Sequence, residues 1–221
     1  MTALALALAA FVGTHLLMSH PLRRAMVAQL GSNGFMIVYS LVSFATLGWV
    51  VWAFREAPVG AYAWPPGEGV QALATVIMFA ASVLLVGSLA GNPALPDPRA
   101  ESLAAGPARG VFAITRHPMM WSFALWALAH VLVSPRPPVM LLTGAIALLA
   151  LVGAAGQDAK KAVLMGPAWQ DWVARTAFVP FAKGGAWPGR TALVGGTVLW
   201  LLASWAHPWA GAPVAGIWWW L

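Results

Sequence analysis

The sequence contains no cysteine and very little charge. Only 8% of its 221 residues are Asp, Glu, Lys or Arg, whereas a soluble domain carries roughly 25%. The lack of cysteine excludes disulfides, thiolate metal ligands and cysteine nucleophiles. Any transition-metal site must therefore use histidine, carboxylate or methionine side chains, and the chain has five histidines.

Acidic residues are the scarcer of the charged types. Six Asp and Glu stand against twelve Lys and Arg, which gives a net charge of +6. In a soluble chain this excess would point to nucleic acid. Here 61% of residues are hydrophobic and the basic residues lie in short segments between apolar runs. We therefore predict an all-α integral membrane protein that has the lipid bilayer as its partner and binds no nucleic acid.

Six apolar runs predict about six transmembrane helices in a single domain, 1–221. Polar, Pro-rich or Gly-rich breaks separate them. The runs are approximately Thr2–Ser19, Phe35–Phe54, Val70–Ala90, Pro118–Val133, Val139–Ala155 and Thr191–Ala206. No basic residue precedes the first run, so we expect a retained span rather than a cleaved signal peptide. The tail His207–Leu221 ends in three tryptophans, which indicates an interfacial anchor.

The basic residues are distributed unequally between the two ends of these spans. Arg55 and Arg136 lie on one side, and the other ten, Arg23, Arg116 and Lys160 among them, lie on the opposite side. The positive-inside rule makes the second side cytoplasmic. We expect a multi-pass protein of the bacterial inner membrane with both termini in the periplasm.

The segment Gln157–Lys183 is the most polar long stretch of the chain. Trp169 and Trp172 alternate there with charged residues, and Gly166-Pro167 interrupts the pattern. This composition predicts a pair of amphipathic helices on the cytoplasmic surface. Two interpretations stay open: a simple membrane anchor, or a lid over a pocket that opens to the cytoplasm.

The most informative stretch is Gly110–Val131, where a polar corner leads into an apolar helix. Thr115 is suited to cap that helix and Pro118 to its first turn. Between them, Arg116 at the membrane interface offers bidentate hydrogen bonds to a carboxylate or phosphate, or to a lipid headgroup. The same helix carries His130, roughly 20 Å beyond His117. Ionisable residues at that depth are candidate functional residues.

His15 and His130 are the strongest candidates for metal ligands. His15 lies roughly 12 Å inside the boundary marked by Arg23, so its depth differs from that of His130 by less than about 10 Å. The two rings are expected to face each other across the bundle, as haem ligands do in helical bundles. The alternative is that each ring only hydrogen-bonds a carbonyl or hydroxyl group. We interpret His20 and His207, each followed by proline, as interfacial residues.

Three sequence blocks together resemble the NnrU family of membrane proteins. They run from Gly13-Thr14-His15 to Arg23, from Ile114-Thr115-Arg116-His117-Pro118 to Ala129-His130, and from Gly156-Gln157-Asp158 to Val179-Pro180-Phe181. The resemblance implies a link to denitrification through nitrite and nitric oxide reductases.

The NnrU family is in turn similar to plant 15-cis-ζ-carotene isomerase, a haem b membrane enzyme that isomerises a double bond when its iron is reduced. By motif, the isomerase's two histidine ligands fall on His15 and His130, with His20 as an alternative for the first, and its R-H-P histidine falls on His117. The isomerase has a cysteine where this chain has Ala127, so the resemblance does not extend to a cysteine-based ligand exchange.

A second resemblance concerns the R-H-P corner together with Gly166, Trp169 and Trp172. These residues look like the C-terminal half of isoprenylcysteine carboxyl methyltransferases, which implies an S-adenosylmethionine pocket that includes Arg116 and His117. The chain departs from that pattern at Asp158–Lys161, where the methyltransferases tend to be acidic.

Three functional hypotheses follow from these observations. The first is a haem b protein, isomerase-like if it is an enzyme, that acts on a polyene or another hydrophobic substrate. The second is a methyltransferase-like enzyme that uses S-adenosylmethionine. The third is an accessory factor for the nitrogen-oxide reductase machinery.

Overall fold

The computed structural model describes residues 1–221 and contains helices but no β-strand. Its eight α-helices are α1 (Thr2–Ser19), α2 (Arg23–Arg55), α3 (Glu68–Gly87), α4 (Ala100–Ala105), α5 (Pro118–Val133), α6 (Pro137–Met165), α7 (Pro167–Arg175) and α8 (Arg190–Ala206). Short 3₁₀ turns lie at Gly110–Ala113, Pro208–Ala210 and Gly216–Trp220.

Proline and glycine set the helix boundaries where the sequence predicts breaks. Pro118, Pro137 and Pro167 each lie in the first turn of a helix, where the missing N–H costs nothing. Gly166 separates α6 from α7 with a positive φ of 53°. Gly31 has φ 69° and ψ 171° and kinks α2, a conformation that glycine adopts without strain.

The helices confirm the prediction of an all-α membrane protein. Four of them, α1, α2, α3 and α6, are long and apolar enough to cross a bilayer, and α5 is a shorter apolar helix. The sixth predicted span corresponds to α8. One predicted boundary was wrong: α6 continues ten residues beyond Ala155, because polar helical turns follow its apolar run without a break. The predicted break before Phe35 is present as the kink at Gly31, which joins a first helical segment beginning at Arg23 to the apolar run.

Helix α6 contacts both halves of the bundle. Helix α1 packs against α2 and α6, while α5 packs against α3 and α6, and α8 packs against α3. The contact of α8 with α3 is close, because a Cβ atom built on Gly196 would lie 2.6 Å from the Cα of Val83. A first apolar core, which includes Leu4, Leu8 and Val50, joins α1 to α2 and α6.

A second core lies at the end of the bundle where most basic residues are found. Trp169 and Trp172 of α7 are 1% and 2% exposed, and they pack with Val111, Phe112 and residues of α4. We call the part of the chain from 88 to 117, together with 156–184, the polar layer. Helix α7 was predicted as part of an amphipathic pair on the cytoplasmic surface, either a membrane anchor or a lid. Because Trp169 and Trp172 are buried in protein, these two side chains do not anchor the helix in the membrane.

Candidate functional site

Arg116, His117 and Asp158 form a cluster in the polar layer. The guanidinium of Arg116 donates to both carboxylate oxygens of Asp158, with Nε 3.0 Å from each and one terminal nitrogen 2.6 Å from Oδ2. Nε2 of His117 donates to Oδ1 of the same carboxylate at 2.8 Å. Another Arg116 nitrogen donates to the carbonyl of Thr176 at 3.2 Å.

The backbone following α7 holds this corner in place. The amide of Arg116 donates to the carbonyl of Ala177 at 2.8 Å, and the hydroxyl of Thr115 donates to the carbonyl of Phe178 at 2.7 Å. The indole N–H of Trp121 donates to the same carbonyl at 2.8 Å. The guanidinium of Arg116 also lies 5.2 Å from the centre of the Phe178 ring. Thr115 thus fixes the corner but makes no side-chain cap hydrogen bond to α5.

Asp158 lies on the part of α6 that continues beyond its apolar run, and it is ionised. Partial burial raises the pKa of Asp158, but the hydrogen bonds from His117 and Arg116 outweigh it and hold the pKa below its usual range. Because the carboxylate can only accept, Nε2 of His117 must carry a proton. Nδ1 of His117 is buried and has no hydrogen-bond partner.

This pairing changes the interpretation of Arg116. The sequence predicts a site on Arg116 for a carboxylate, phosphate or headgroup from outside the chain. In the structure the chain's own Asp158 fills that site, and the arginine is 8% exposed. Neither family resemblance assigns a role to Asp158. A signal for its role was available, since it is one of six acidic residues and directly follows a membrane span.

His15 lines a cavity of about 420 Å³ between α1, α2, α5 and α6. We call it the His15 cavity. The ring of His15 contacts Tyr39 with centroids 5.5 Å apart, and its Nδ1–H donates to the carbonyl of Phe11 at 2.7 Å. His20 lines the same cavity, and its ring packs so closely on α6 that a Cβ at Gly156 would lie 2.3 Å from it.

His130 lines a different cavity of about 640 Å³, which we call the His130 cavity. It is enclosed by α3, α5, α6 and α8 with the loop before α3 and the C-terminal tail. The ring of His130 contacts Trp126 with centroids 4.1 Å apart, and its Nδ1–H donates to the Trp126 carbonyl at 2.8 Å. His207, at the end of α8, has its ring centre 6.0 Å from that of His130.

The structure therefore pairs His130 with His207, and not with His15. The expectation that His15 and His130 face each other was wrong, because α6 packs between α1 and α5 and the two rings line separate cavities. Each ring does make the carbonyl hydrogen bond that was the alternative interpretation, through Nδ1. No group of three or more His, Asp or Glu side chains is placed to hold a metal ion.

The architecture defines a multi-helix integral membrane protein with a buried ionic cluster and two histidine-lined cavities. The family model described as NnrU protein matches residues 3–214, and the chain therefore belongs to the NnrU family. No curated protein and no solved structure matches it significantly.

Proposed function

We propose that this NnrU-family protein binds haem b in the His130 cavity, where His130 and His207 would hold the iron. The observation that carries the proposal is the 6.0 Å separation of the two rings at the wall of this cavity. Two imidazoles on one metal ion, with metal–nitrogen distances of about 2.0–2.1 Å, place their ring centres roughly 6 Å apart. The separation of the His130 and His207 ring centres therefore matches that of two imidazoles bound to one metal ion.

The donor set favours haem over a bare metal ion. Two nitrogens are too few for a structural zinc site, which takes four protein ligands, whereas haem iron needs the protein only for its axial positions. The Trp126 carbonyl fixes the Nδ1–H tautomer of His130 and leaves Nε2 as the ligand atom, as in most metal-binding histidines.

The His130 cavity also matches haem in size and has a basic residue near it that could pair with the haem carboxylates. Its volume of about 640 Å³ lies within the range of cofactor pockets, and most lining residues are hydrophobic. Arg136 stacks on Tyr62 at 4.2 Å, Tyr62 lines the cavity, and Nε of Arg136 is buried without a hydrogen-bond partner. A buried guanidinium with an unpaired N–H is suited to donate a hydrogen bond to a carboxylate of haem.

A bound haem supplies one-electron chemistry, and the protein supplies orientation and a dry environment. The apolar lining favours the isomerase-like role, with a polyene or another lipid-phase molecule as substrate. The alternative role, support of nitrite and nitric oxide reductases, would use the same haem without turnover. Incubation of the reduced protein with cis polyenes distinguishes them, because the isomerase-like role predicts geometric isomers that are absent with a His130→Ala variant.

S-adenosylmethionine is the disfavoured cofactor. The methyltransferase hypothesis places it on Arg116 and His117, and both side chains are bonded to Asp158. Titration calorimetry of the purified protein with S-adenosylmethionine is expected to give no binding heat. A heat that is lost in Arg116→Ala would support the methyltransferase hypothesis instead.

We propose the inner-membrane orientation that the charge distribution indicates. The polar layer, with Arg116 and Lys160, and the nearby Arg23 face the cytoplasm, and both termini face the periplasm. The His130 cavity then lies at the periplasmic end of the bundle, since α5 runs from the polar layer towards His130.

Oxidised and reduced absorption spectra of protein purified from haem-supplied cells test the haem proposal. Two histidine ligands predict a Soret band and sharp reduced α and β bands. His130→Ala and His207→Ala should each lose these low-spin bands, whereas His15→Ala, in the other cavity, should keep them. A colourless wild type would reject haem binding. Loss in His15→Ala with retention in His207→Ala would restore the pairing of His15 with His130.

A further inference from the structure

The His15 cavity is apolar along most of its length and polar at one end. Its apolar wall comes from α1, α2, α5 and α6: Phe11, Leu16, Leu47, Met120, Phe123, Ile146 and Leu149. Ser19, His20, Tyr39, Gln157 and Lys160 line the polar end. The hydroxyl groups of Ser19 and Tyr39 are 3.3 Å apart. The cavity thus has the polarity profile of an amphiphilic molecule.

The polar end carries positive charge that no carboxylate balances. Lys160 forms no salt bridge, since the only acidic partners in the chain's ion pairs are Asp97, held by Arg99, and Asp158 in the cluster described above. No Asp or Glu lines the cavity. Burial, and then the charges of Arg23 and Lys161, lower the pKa of Lys160. An anion at this point would relieve the repulsion.

We propose that the His15 cavity binds an amphiphile with one anionic head group and an apolar chain. The head group lies at Lys160, and the apolar chain runs along the wall between α1, α5 and α6. The head group is a carboxylate or phosphate, and the volume of about 420 Å³ is that of a site for a small molecule. This proposal is independent of haem in the His130 cavity.

Gly153 allows the cavity to be filled without disturbing the fold. It lines the cavity, and a Cβ built there has no atom within 4 Å. Gly153→Leu should therefore project into the space that the chain would occupy. Gly144 is a matched control, because it is on the same helix, also has nothing within 4 Å of a built Cβ, and lines neither cavity.

The head-group contact is tested by Lys160→Gln. Arg24→Gln is its control, because Arg24 belongs to the same basic end, is exposed, and lines neither cavity. Both variants lower the net charge by one. A loss confined to Lys160→Gln thus reports the cavity and not the general attraction of a basic surface for anions.

Native mass spectrometry of the full chain in a non-ionic detergent measures retention of four probes. Oleate and lysophosphatidate are the single-chain carboxylate and phosphate anions, and oleyl alcohol and lysophosphatidylcholine are their neutral or zwitterionic counterparts. We expect one oleate or lysophosphatidate per chain, with binding weakened roughly tenfold in Lys160→Gln and abolished in Gly153→Leu. Gly144→Leu and Arg24→Gln should bind like the wild type. Retention of oleate alone would identify a free acid, and retention of lysophosphatidate alone a lipid phosphate.

Three results would overturn the proposal. Equal retention of oleyl alcohol and oleate would show that the head group is not recognised. Equal binding by Gly153→Leu and Gly144→Leu would place the amphiphile elsewhere. Loss of the haem spectrum in Gly153→Leu, with no such loss in His207→Ala, would show that haem and not an amphiphile occupies the His15 cavity. A colourless wild type that retains oleate would reject only the haem proposal.

Discussion

Arg116 and Asp158 are joined by a bidentate ion pair, with the shortest contact 2.6 Å between a guanidinium nitrogen and Oδ2. The pair connects the start of α5 to α6, forty-two positions later in the chain. Removal of the carboxylate by Asp158→Ala leaves a buried guanidinium and His117 unpaired. Because the Asp158 side chain is 21% exposed, we expect a cost of about 3 kcal/mol, at the low end for a broken buried pair.

Thermal unfolding in detergent checks this prediction, with Asp171→Ala as the control. Asp171 is an exposed carboxylate on α7 and belongs to no ion pair, so its removal should change the unfolding temperature little. Equal shifts in the two variants would contradict a structural role for the Arg116–Asp158 pair.

The same carboxylate should make stability depend on pH in the acidic range. The pKa of Asp158 is lower in the folded chain than its ordinary value of 3.8. Its contribution to stability is therefore complete above that ordinary value and falls as the pH drops through the folded pKa. The difference in unfolding temperature between wild type and Asp158→Asn should be large at pH 7 and smaller at pH 3.

Asp97→Asn is the comparison for this pH dependence. Hydrogen bonds from Arg99 lower the pKa of Asp97, but the Arg99 side chain is 75% exposed, so solvent screens this pair. Asp97→Asn should differ little from wild type at either pH. A difference for Asp158→Asn that stays the same from pH 7 to pH 3 would show that ionisation of this carboxylate does not contribute.

The sequence was sufficient to predict the class of fold and most span positions, because apolar runs of membrane-spanning length leave few alternatives. It was not sufficient to predict side-chain partners between helices. His130 and His207 are seventy-seven positions apart, and their proximity depends on the packing of both α5 and α8 against α3. Local periodicity carries no information about that packing.

The packing of the polar layer is likewise not predicted by the sequence. Between the third and fourth predicted spans the chain forms α4, which packs against α7, and there Arg175 donates to the carbonyl of Ala104. Trp169 and Trp172 have the spacing of an amphipathic surface helix. Whether such a face contacts lipid or protein depends on the chain that covers it, which the segment itself does not specify.

Trp169 should be sensitive to truncation because it belongs to the core of the polar layer. It is 1% exposed, and truncation of a buried aromatic residue typically costs about 3–5 kcal/mol. Trp169→Ala should therefore lower the unfolding temperature strongly in detergent, whereas Trp187→Ala, at a side chain that is 70% exposed, should have little effect. Similar effects in both variants would contradict the presence of a packed core in this layer.

Gly196 and Gly144 should respond to alanine with opposite signs. A Cβ at Gly196 would lie 2.6 Å from the Cα of Val83, so α3 and α8 must separate, at a cost of about 1–3 kcal/mol. A Cβ at Gly144 meets nothing within 4 Å, and alanine in a helix interior is favoured by roughly 0.5–1 kcal/mol. Thermal unfolding of both variants measures the signs, and a stable Gly196→Ala would contradict the close packing of α8 on α3.

The proposed membrane orientation predicts which positions are accessible from each side. Because the chain has no cysteine, a single introduced cysteine reports one position without background labelling. Glu68 and Asp171 are both exposed, and three apolar helices, α3, α5 and α6, lie between them. Three crossings place the two positions on opposite sides of the membrane. A membrane-impermeant maleimide should label Glu68→Cys in intact bacterial spheroplasts and Asp171→Cys only after permeabilisation. The reverse pattern would invert the orientation, and labelling of both from one side would mean that an even number of these three helices crosses the bilayer.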